Sequence, residues 1–554
     1  MLRPARNLGF VLEALAIGFL AITARSFHAE HAPLYDELYH VLAARSWATD
    51  GSLAIGPGVY TRGALFTVLT GWMFEGLGVS LTVARIVPML AGSLLVLSLF
   101  LWTRSVAGRT AAWAAALLLC FSPNAIVLSQ FIRPYSLHAL LFFWGAIGLH
   151  ALVSGETGSG GRRWAVIGTS ALGLFAALRL QLTTLIGLVG MTPWLLIAAR
   201  ARWAALFERL RRHQAIGWGL LVLAVGGGIA LMQTGMVRHL LDLAQQTPLW
   251  AQSGKFHVYH WIFLKYYPTL WALLPLAWLF AIARKGEPAL FCCSLFTVSL
   301  LLHLFFPIRG ERYIAYLMPF FFALWGMVLA EMVPLLRRTA AAALGRVIPE
   351  LRLSERAGRI VQAFTVIVSL AFLLASNSAF LHAGRVILRG PVHLHPQYRV
   401  DWSLAREVLE PLARAADLVI ATNGLSATYY LGRFDVEFSA THLSEVEGGE
   451  QFSIDHRTGR PIISEAQSLR QLMACYPTGL VISEGWQWKN RIVGIDHGSA
   501  DLLVQETERV ELPPQANLIA FRWRRGDGEP RAGLAADACP ALRVPEPGSS
   551  GARG

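Results

Sequence analysis

Long apolar runs separated by short basic segments occupy the first 384 of the chain's 554 residues. A helix needs about 20 mostly apolar residues to cross the hydrocarbon core of a bilayer. The runs therefore predict a polytopic α-helical membrane protein with about 11 transmembrane helices. The predicted spans are roughly 8–25, 82–103, 110–129, 134–153, 164–179, 181–199, 215–233, 261–283, 288–306, 313–335 and 360–381.

The pattern changes after residue 384, where polar and apolar residues mix. Short β-like runs appear at DLVIAT (417–422), GLVISE (479–484) and NLIAFRW (517–523), and helix-like stretches at 403–416 and 464–476 lie between them. Strands that alternate with helices predict a C-terminal α/β domain. We predict a transmembrane module at 1–384, the α/β domain at 385–526 and a disordered tail at 527–554, which is rich in Gly, Pro, Ala and charge.

The basic segments between the spans predict the orientation. Cytoplasmic loops of membrane proteins carry an excess of Lys and Arg. If the N-terminus is cytoplasmic, every inside segment is basic, and the loop 26–81, the loop 233–260 and the α/β domain lie outside. The first span could instead be a cleaved signal peptide, but Glu13 and the ten spans that follow favour an uncleaved helix.

Composition narrows the protein class further. Charged residues make up only 15% of the chain, against about 25% in average soluble domains, which excludes a single soluble domain. The net charge is +13, yet the basic excess lies in short clusters between apolar runs, which argues against nucleic-acid binding. Cys475 and Cys539 both fall in the predicted outer region; a disulfide between them and two unpaired thiols are both open.

The first outer loop (residues 26–81) holds an adjacent acidic pair, Asp36 and Glu37, at the start of a helix-like run. A second run, 62–74, is apolar and is predicted to lie along the membrane interface. Acids beside a membrane are costly and indicate function, such as a general base, a metal ligand or a cation site. The structural alternative is an ordinary N-cap with acids in the first helical turn.

Several cations lie at the predicted outer ends of spans, where the positive-inside rule disfavours them. A guanidinium binds phosphate well, so an anionic ligand would explain the set. The alternative is an internal pair, such as Arg309 or Arg312 with Glu311 or Asp36. The candidate substrate-binding residues are Tyr60, Arg62, Arg133, Tyr135, Lys265, Arg309, Arg312 and Tyr313.

These motifs resemble the GT-C superfamily of polyprenyl-phosphate-sugar-dependent glycosyltransferases, in the branch related to protein O-mannosyltransferases and lipid A aminoarabinose transferases. The resemblance covers most of the chain. It implies that Asp36 is the general base, that Glu37 supports it, that Arg133 is the arginine of the second outer loop, and that the anomeric carbon is inverted. The residues that show it are YDELYHVLAARSWATDG (35–51), GVYTRGALFTVLTGWMF (58–74), LTVARIVPMLAGSL (81–94), SPNAIVLSQFIRPYSLHALLFF (122–143), RGERYIAYLMPFF (309–321), ATNGLSATYYLGRFDVEF (421–438) and GRPIISEAQSLRQLMACYPTGLVISEG (459–485).

One departure concerns the acceptor. Many relatives carry a His-Pro-Pro type motif after the first loop, where this chain has Tyr60-Thr61-Arg62-Gly63. The resemblance therefore implies a polyprenyl-phosphate-linked sugar donor and leaves open a glycan, lipid or protein acceptor. It also implies no essential cofactor, with a divalent cation on Asp36 and Glu37 as the alternative. The inner membrane of a bacterium is the expected location, with membrane lipid as a further partner.

Three other functions compete with this interpretation. A transporter would need paired broken helices in two halves and polar residues at mid-membrane depth, and neither is evident in the sequence. A receptor would use the outer domain for binding and would need no catalytic carboxylate. A cytoplasmic nucleotide-sugar enzyme would need a phosphate-binding glycine motif, and none is found.

Overall fold

A computed structural model describes residues 7–155, 160–198, 257–305, 309–347, 375–390, 400–446, 449–490 and 494–525, with single residues at 200, 360, 364, 368, 371 and 372. It separates the chain into two compact units. We call Met1–Ala29 with Pro88–Gly390 the helical unit, and Glu30–Val87 with Pro391–Gly554 the sheet unit. Most of the first loop thus groups with the C-terminal segment, whereas the sequence analysis placed it in the module 1–384.

In the described residues as far as 390, the regular secondary structure is helical apart from one short hairpin. Six helices in the described residues are long and apolar enough to cross a membrane, and a pair bent by 58° would add a seventh. The helices are α1 (Asn7–Ser26), α2 (Tyr35–Asp50), α3 (Ala64–Leu77), α4 (Leu81–Ala107), α5 (Arg109–Cys120), α6 (Pro123–Gln130), α7 (Tyr135–Ser154), α8 (Gly161–Leu180), α9 (Thr184–Gly190), α10 (Thr192–Ala198), α11 (Val258–Tyr266), α12 (Pro268–Ala272), α13 (Leu274–Lys285), α14 (Glu287–Leu304), α15 (Met318–Val347, after a 3₁₀ turn at Glu311–Leu317) and α16 (Ala379–Arg389).

Six predicted spans coincide with one long helix. The predicted span 181–199 is divided between the short helices α9 and α10. The predicted span 110–129 is the bent pair α5 and α6, with Pro123 at the start of α6. The predicted span 261–283 is divided among α11, α12 and α13, because Pro268 and Pro275 each begin a new helix. The predicted spans 215–233 and most of 360–381 lie outside the described residues.

Ion pairs join helices of the helical unit where the sequence has its basic loops. Glu13 of α1 pairs with Arg104 of α4 and, at 2.6 Å, with Arg109 of α5. Lys285, at the end of α13, lies 2.7 Å from Glu331 of α15. The acid in the first apolar run is therefore compensated by basic residues at the end of α4 and the start of α5.

The sheet unit contains a seven-stranded sheet in the order β5-β6-β4-β3-β7-β9-β8. The four strands β6, β4, β3 and β7 are parallel, and β5, β9 and β8 run antiparallel to their neighbours. The strands are β1 (Ala54–Ile55) and β2 (Gly58–Val59), which form a separate hairpin, then β3 (Leu418–Ala421), β4 (Val436–Phe438), β5 (Ile454–Asp455), β6 (Arg460–Ile463), β7 (Thr478–Glu484), β8 (Glu508–Val510) and β9 (Leu518–Arg524). The helices are α17 (Trp402–Ala415), α18 (Gly424–Leu431), α19 (Ala440–Glu445), α20 (Ala466–Cys475), α21 (Gly485–Lys489) and α22 (His497–Glu506).

Both faces of this sheet are buried. In β3, Val419 and Ala421 join the core under α17 and α18, whereas Leu418 and Ile420 join the core under α20 and α22. Successive side chains of a strand point to opposite faces, so a strand covered on both sides reads as a continuous apolar run. This explains why the β-like runs of the sequence lack alternation.

The strand order reverses between β3 and β7, the place where doubly wound sheets bind ligands at the carboxyl ends of their strands. Here the protein's own side chains fill that place. Glu484 is buried and accepts hydrogen bonds from Asn423 Nδ2 (2.6 Å), Trp402 Nε1 (3.1 Å) and Trp486 Nε1 (2.7 Å). These side chains occupy the crevice, and the three hydrogen bonds satisfy the buried carboxylate of Glu484.

The first loop folds into α2, the hairpin β1–β2 and α3. The helices α2 and α3 pack closely, because a Cβ atom on Gly71 would lie 2.5 Å from the ring of Trp47. His40 Nδ1 lies 2.9 Å from Thr67 Oγ1 across the same interface. The other side of α3 exposes apolar side chains, including Trp72 and Leu77. A 14-residue helix is about 21 Å long, too short to cross a bilayer, and suits the predicted place along the interface.

Candidate functional site

Asp36 and Glu37 occupy different environments although they are adjacent. Both lie in the first turn of α2, where the helix dipole stabilises negative charge. The Glu37 side chain is buried and its Oε2 accepts a hydrogen bond from the backbone N–H of Leu34 at 2.7 Å. This is the contact that a capping-box glutamate makes at a helix start. Asp36 is only partly buried and is the member of the pair that reaches the surface of the sheet unit.

A second contact fixes Glu37. Arg85 of α4 places Nη2 at 3.7 Å from Glu37 Oε1, and the two side chains are 0% and 1% exposed. A buried carboxylate requires such compensation, because removal from water is otherwise costly. Glu37 therefore connects the start of α2 to α4 and is inaccessible to a substrate. Glu37 therefore has the contacts of an acid that caps a helix. Asp36 is the acid of the pair for which a chemical role is considered.

Tyr60 and Arg62 follow the hairpin of the first loop. The Tyr60 ring stacks on Tyr39 with centroids 4.8 Å apart and meets His40 edge to face. With 4% of its surface exposed, Tyr60 packs in the interior of the loop. Arg62 is exposed, so of these two predicted substrate-binding residues it is the accessible one.

In the helical unit, four of the predicted substrate-binding residues lie together at the start of α7 and in the 3₁₀ turn before α15. Arg133 Nη2 donates to Tyr135 Oη at 3.3 Å. The Arg312 guanidinium lies 5.9 Å from the Tyr135 ring centre and 5.1 Å from that of Tyr313. The rings of Tyr135 and Tyr313 meet edge to face at 6.2 Å. Two guanidinium groups and two phenol groups thus form one cluster, which we call the arginine–tyrosine cluster.

Lys265 and Arg309 are engaged elsewhere in the helical unit. Lys265 Nζ lies 4.7 Å from the Tyr266 ring centre and is close enough to Glu311 for their charges to interact. Arg309 Nη2 donates to the carbonyl of Leu304 at 2.7 Å. Glu311 is therefore associated with Lys265, a cation other than the two arginines that the sequence analysis considered as its partners.

The sequence analysis missed a polar cluster between α2 and the sheet. Tyr35 Oη lies 3.3 Å from Glu437 Oε1 and 3.4 Å from His442 Nδ1. Glu437 and His442 themselves are 2.6 Å apart. Tyr35 lies 402 residues before Glu437 in the chain. No local signal in the sequence connects them, apart from the fact that Tyr35 precedes the acidic pair.

A buried arginine at the end of α1 was also missed. Arg25 is 1% exposed, donates through Nε to Ser129 Oγ at 3.1 Å, and donates through Nη1 to the carbonyl of Ala21 at 3.1 Å. It lines a cavity of about 30 Å³ that Asn124 and Glu311 also line. That volume holds one water molecule rather than a substrate.

Metal binding has no preformed site in the part of the chain that the structure describes. No three His, Cys, Asp or Glu side chains of the described residues are grouped so that they could hold a metal ion. Glu37 is directed to Leu34 and Arg85, which leaves Asp36 as the one acid of the pair that a ligand could reach.

Comparison with known proteins gives a match by structure. No model of a known protein family matches the sequence, and no curated protein matches it. The structure of ArnT from Cupriavidus metallidurans matches in the apo state with a TM-score of 0.54 and 13% identity, over 93% of this chain and 98% of that chain. The same protein bound to undecaprenyl phosphate gives a TM-score of 0.56 and 14% identity over the same shares.

A second match is the archaeal oligosaccharyltransferase AglB from Archaeoglobus fulgidus, in complex with an inhibitory peptide and a dolichol-phosphate. It gives a TM-score of 0.56 and 11% identity over 92% of this chain and 73% of that chain. The chain has the GT-C fold. The resemblance seen in the sequence is thereby confirmed at the level of the fold.

Proposed function

We propose that the protein is a membrane glycosyltransferase that moves a sugar from a polyprenyl-phosphate donor to an acceptor hydroxyl. The observation that carries the proposal is the different placement of the adjacent acids, with Glu37 buried in a structural role and Asp36 partly exposed. Two proteins with the same fold support it, since one is bound to undecaprenyl phosphate and the other to a dolichol-phosphate.

In the proposed reaction, Asp36 accepts the proton of the acceptor hydroxyl. The hydroxyl oxygen forms a bond to the anomeric carbon while the bond between that carbon and the phosphate oxygen breaks. The polyprenyl phosphate leaves with the electron pair, and attack from the opposite side inverts the anomeric carbon. General base catalysis of this type contributes about 10²–10⁴-fold to a rate.

The arginine–tyrosine cluster is the proposed binding site for the phosphate group of the donor. Charge develops on the departing phosphate oxygens, and preorganised cationic donors stabilise such charge. Arg133 and Arg312 are held by aromatic neighbours, so their guanidinium groups are already ordered before a ligand binds. We propose Arg62, Lys265 and Arg309 as further cations for the donor, and Tyr60 as a residue that shapes the loop.

We further propose that the reaction takes place on the extracytoplasmic face of a bacterial inner membrane. The basic segments between the spans support a cytoplasmic N-terminus, and the sheet unit would then lie outside. The acceptor is a hydroxyl of a glycan, a lipid or a protein. The transferred sugar is a hexose or a pentose.

The test begins with ligand binding by the purified protein in detergent. Thermal unfolding is followed with undecaprenyl phosphate and with a panel of polyprenyl-phosphate sugars. A ligand present at about 100 times its dissociation constant adds about 2.7 kcal/mol of stability. The stabilising sugar is then used in a transfer assay with wild type and Asp36→Asn. Stabilisation in both proteins with transfer in the wild type alone supports the proposal. No response to any polyprenyl phosphate would redirect attention to transport or receptor function.

A further inference from the structure

The hairpin β1–β2 of the first loop packs tightly against the sheet. The backbone N–H of Val59 donates to the carbonyl of His456 at 3.2 Å. Gly58 and Gly459 meet so closely that a Cβ atom on either would lie within 2.6 Å of the other's backbone. Gly459 also has a φ of +65°, a conformation that favours glycine. The contact between the hairpin and the β5–β6 turn therefore depends on two glycines.

A second set of contacts holds α2 to the same edge of the sheet. The Arg457 guanidinium lies 5.2 Å from the Tyr39 ring centre. Asp455 fixes that guanidinium, because Arg457 Nε lies 2.9 Å and 3.1 Å from its two carboxylate oxygens. Asp455 is fully buried, so the arginine cannot leave it without leaving an uncompensated charge in the interior.

The third set reaches the first residue of α2, next to Asp36. Glu437 is 1% exposed and sits between Tyr35 and His442. The rings of Tyr35 and His442 also contact each other, with centroids 5.2 Å apart. Burial raises the pKa of Tyr35 well above its ordinary value, so its hydroxyl remains protonated and can donate to Glu437. A residue adjacent to Asp36 is thus bonded to a buried carboxylate of strand β4.

We propose that Glu437, His442 and Arg457 are positioning residues that hold the first turn of α2, and with it Asp36, in the geometry required for proton abstraction. The proposal rests on the proposed function, because it assigns these residues to the reaction through Asp36. It makes the α/β domain part of the catalytic apparatus. A displacement of about 1 Å at a reacting group can lower a rate by about 10²-fold.

The charge state of His442 predicts a pH dependence of kcat. Burial disfavours the charged imidazole, but the hydrogen bond and the charge of Glu437 outweigh it and raise the pKa of His442 above its ordinary value. Arg457 opposes this shift and Glu445 supports it. Tyr35 of α2 faces the same group. The charged pair is present at low pH and is lost as the pH rises through the raised pKa of His442.

The experiment compares kcat and KM of the full-length enzyme in detergent, with a polyprenyl-phosphate sugar as donor. The variants are Glu437→Gln, His442→Gln and Tyr35→Phe. The matched control is Glu508→Gln, which removes an equivalent charge from an exposed pair with Arg522 at the opposite edge of the sheet. We expect kcat to fall at least tenfold in Glu437→Gln and severalfold in Tyr35→Phe, with KM for the donor within twofold. Glu508→Gln should match the wild type.

The pH profile separates positioning from mere stability. In the wild type, kcat should fall on the alkaline side as His442 loses its proton, and this limb should be absent from His442→Gln. Unchanged kcat in Glu437→Gln, or an alkaline limb that persists in His442→Gln, overturns the proposal. If Glu437→Gln does not fold, Tyr35→Phe decides, since it removes one hydroxyl and keeps the ring.

The results that would refute the proposed function differ from those that would refute the positioning role alone. Full transfer activity in Asp36→Asn would refute the role of the base itself. Inactive Asp36→Asn combined with fully active Glu437→Gln and Tyr35→Phe would refute only the positioning role.

Discussion

Glu37 Oε1 and Arg85 Nη2 lie 3.7 Å apart, and neither side chain has more than 1% of its surface exposed. The pair joins the start of α2 to α4, next to the residue that we propose as the base. The two adjacent acids thus differ in burial, since Glu37 is buried and Asp36 is partly exposed. The consequences can be measured separately for stability and for activity.

Loss of Arg85 should destabilise the protein strongly. Arg85→Ala leaves the Glu37 carboxylate buried without this partner, and breaking a buried pair in this way costs about 3–5 kcal/mol. Denaturant unfolding in detergent, followed by tryptophan fluorescence, measures the change. Arg522→Ala serves as the control, because Arg522 and Glu508 form an exposed pair whose loss should change stability little. Equal effects of the two substitutions would contradict the assigned role of Arg85.

The two acids should respond differently to the same chemical change. Asp36→Asn should reduce transfer by about 10²–10⁴-fold and leave the unfolding temperature unchanged, because it removes a base at a partly exposed site. Glu37→Gln should lower the unfolding temperature, because it removes the charge that faces Arg85. Initial rates and thermal unfolding of both variants provide the comparison. The roles would have to be exchanged if Glu37→Gln were stable and inactive.

The arginine–tyrosine cluster should determine donor binding. Arg133→Ala and Arg312→Ala should weaken the thermal stabilisation by undecaprenyl phosphate, and added salt should weaken it in the wild type, because the attraction is ionic. Arg470→Ala is the control, since Arg470 is exposed on α20 and lies 3.9 Å from Glu506. Wild-type stabilisation by the lipid phosphate in both cluster variants would remove the cluster from the binding site.

Substitution of Gly459 and of Gly432 should show how much the contact between the hairpin and the β5–β6 turn contributes to stability. Gly459→Ala introduces a methyl group 2.6 Å from the backbone nitrogen of Gly58 at a φ of +65°. Gly432→Ala has a φ of +88° with nothing within 4 Å, so it isolates the cost of the conformation alone. That cost is about 1–2 kcal/mol. Gly459→Ala should be clearly more destabilising than Gly432→Ala in unfolding experiments, and similar values would show that the contact contributes nothing.

Stability should also depend on pH through His442. Its pKa is raised in the folded protein, so the stabilisation is complete below the ordinary value of about 6.5 and declines as the pH rises through the raised value. The difference in unfolding temperature between wild type and His442→Gln should therefore be largest in mildly acidic buffer. A difference that grows towards alkaline pH would have the wrong sign for a protonated His442 beside Glu437.

Six of the spans and three of the strands could be predicted because their signals are local. Twenty apolar residues in a row, or the run from Leu418 to Ala421, carry the information within a short window. The breaks at Pro268 and Pro275 lie in a mostly apolar run, so residues 261–283 were predicted from their composition as one span. The sequence also indicated the acids Asp36 and Glu37 as a pair.

The division of roles within that pair could not be predicted. It depends on Arg85, which is 48 residues from Glu37 and belongs to another helix. The contact of Tyr35 with Glu437 depends on how the first loop packs against a sheet formed by the last part of the chain. Long-range packing of this kind leaves no periodicity in the sequence, and its partners are ordinary polar residues of two distant segments.

The 402 residues between Tyr35 and Glu437 also impose an order on synthesis. The first loop leaves the ribosome early, but the strand that holds α2 follows only after roughly 20–80 s at about 5–20 residues per second. During that interval the helices of the chain can enter the bilayer while the loop still lacks its partners. The contacts that hold the first turn of α2 can therefore form only after the C-terminal sheet has been synthesised.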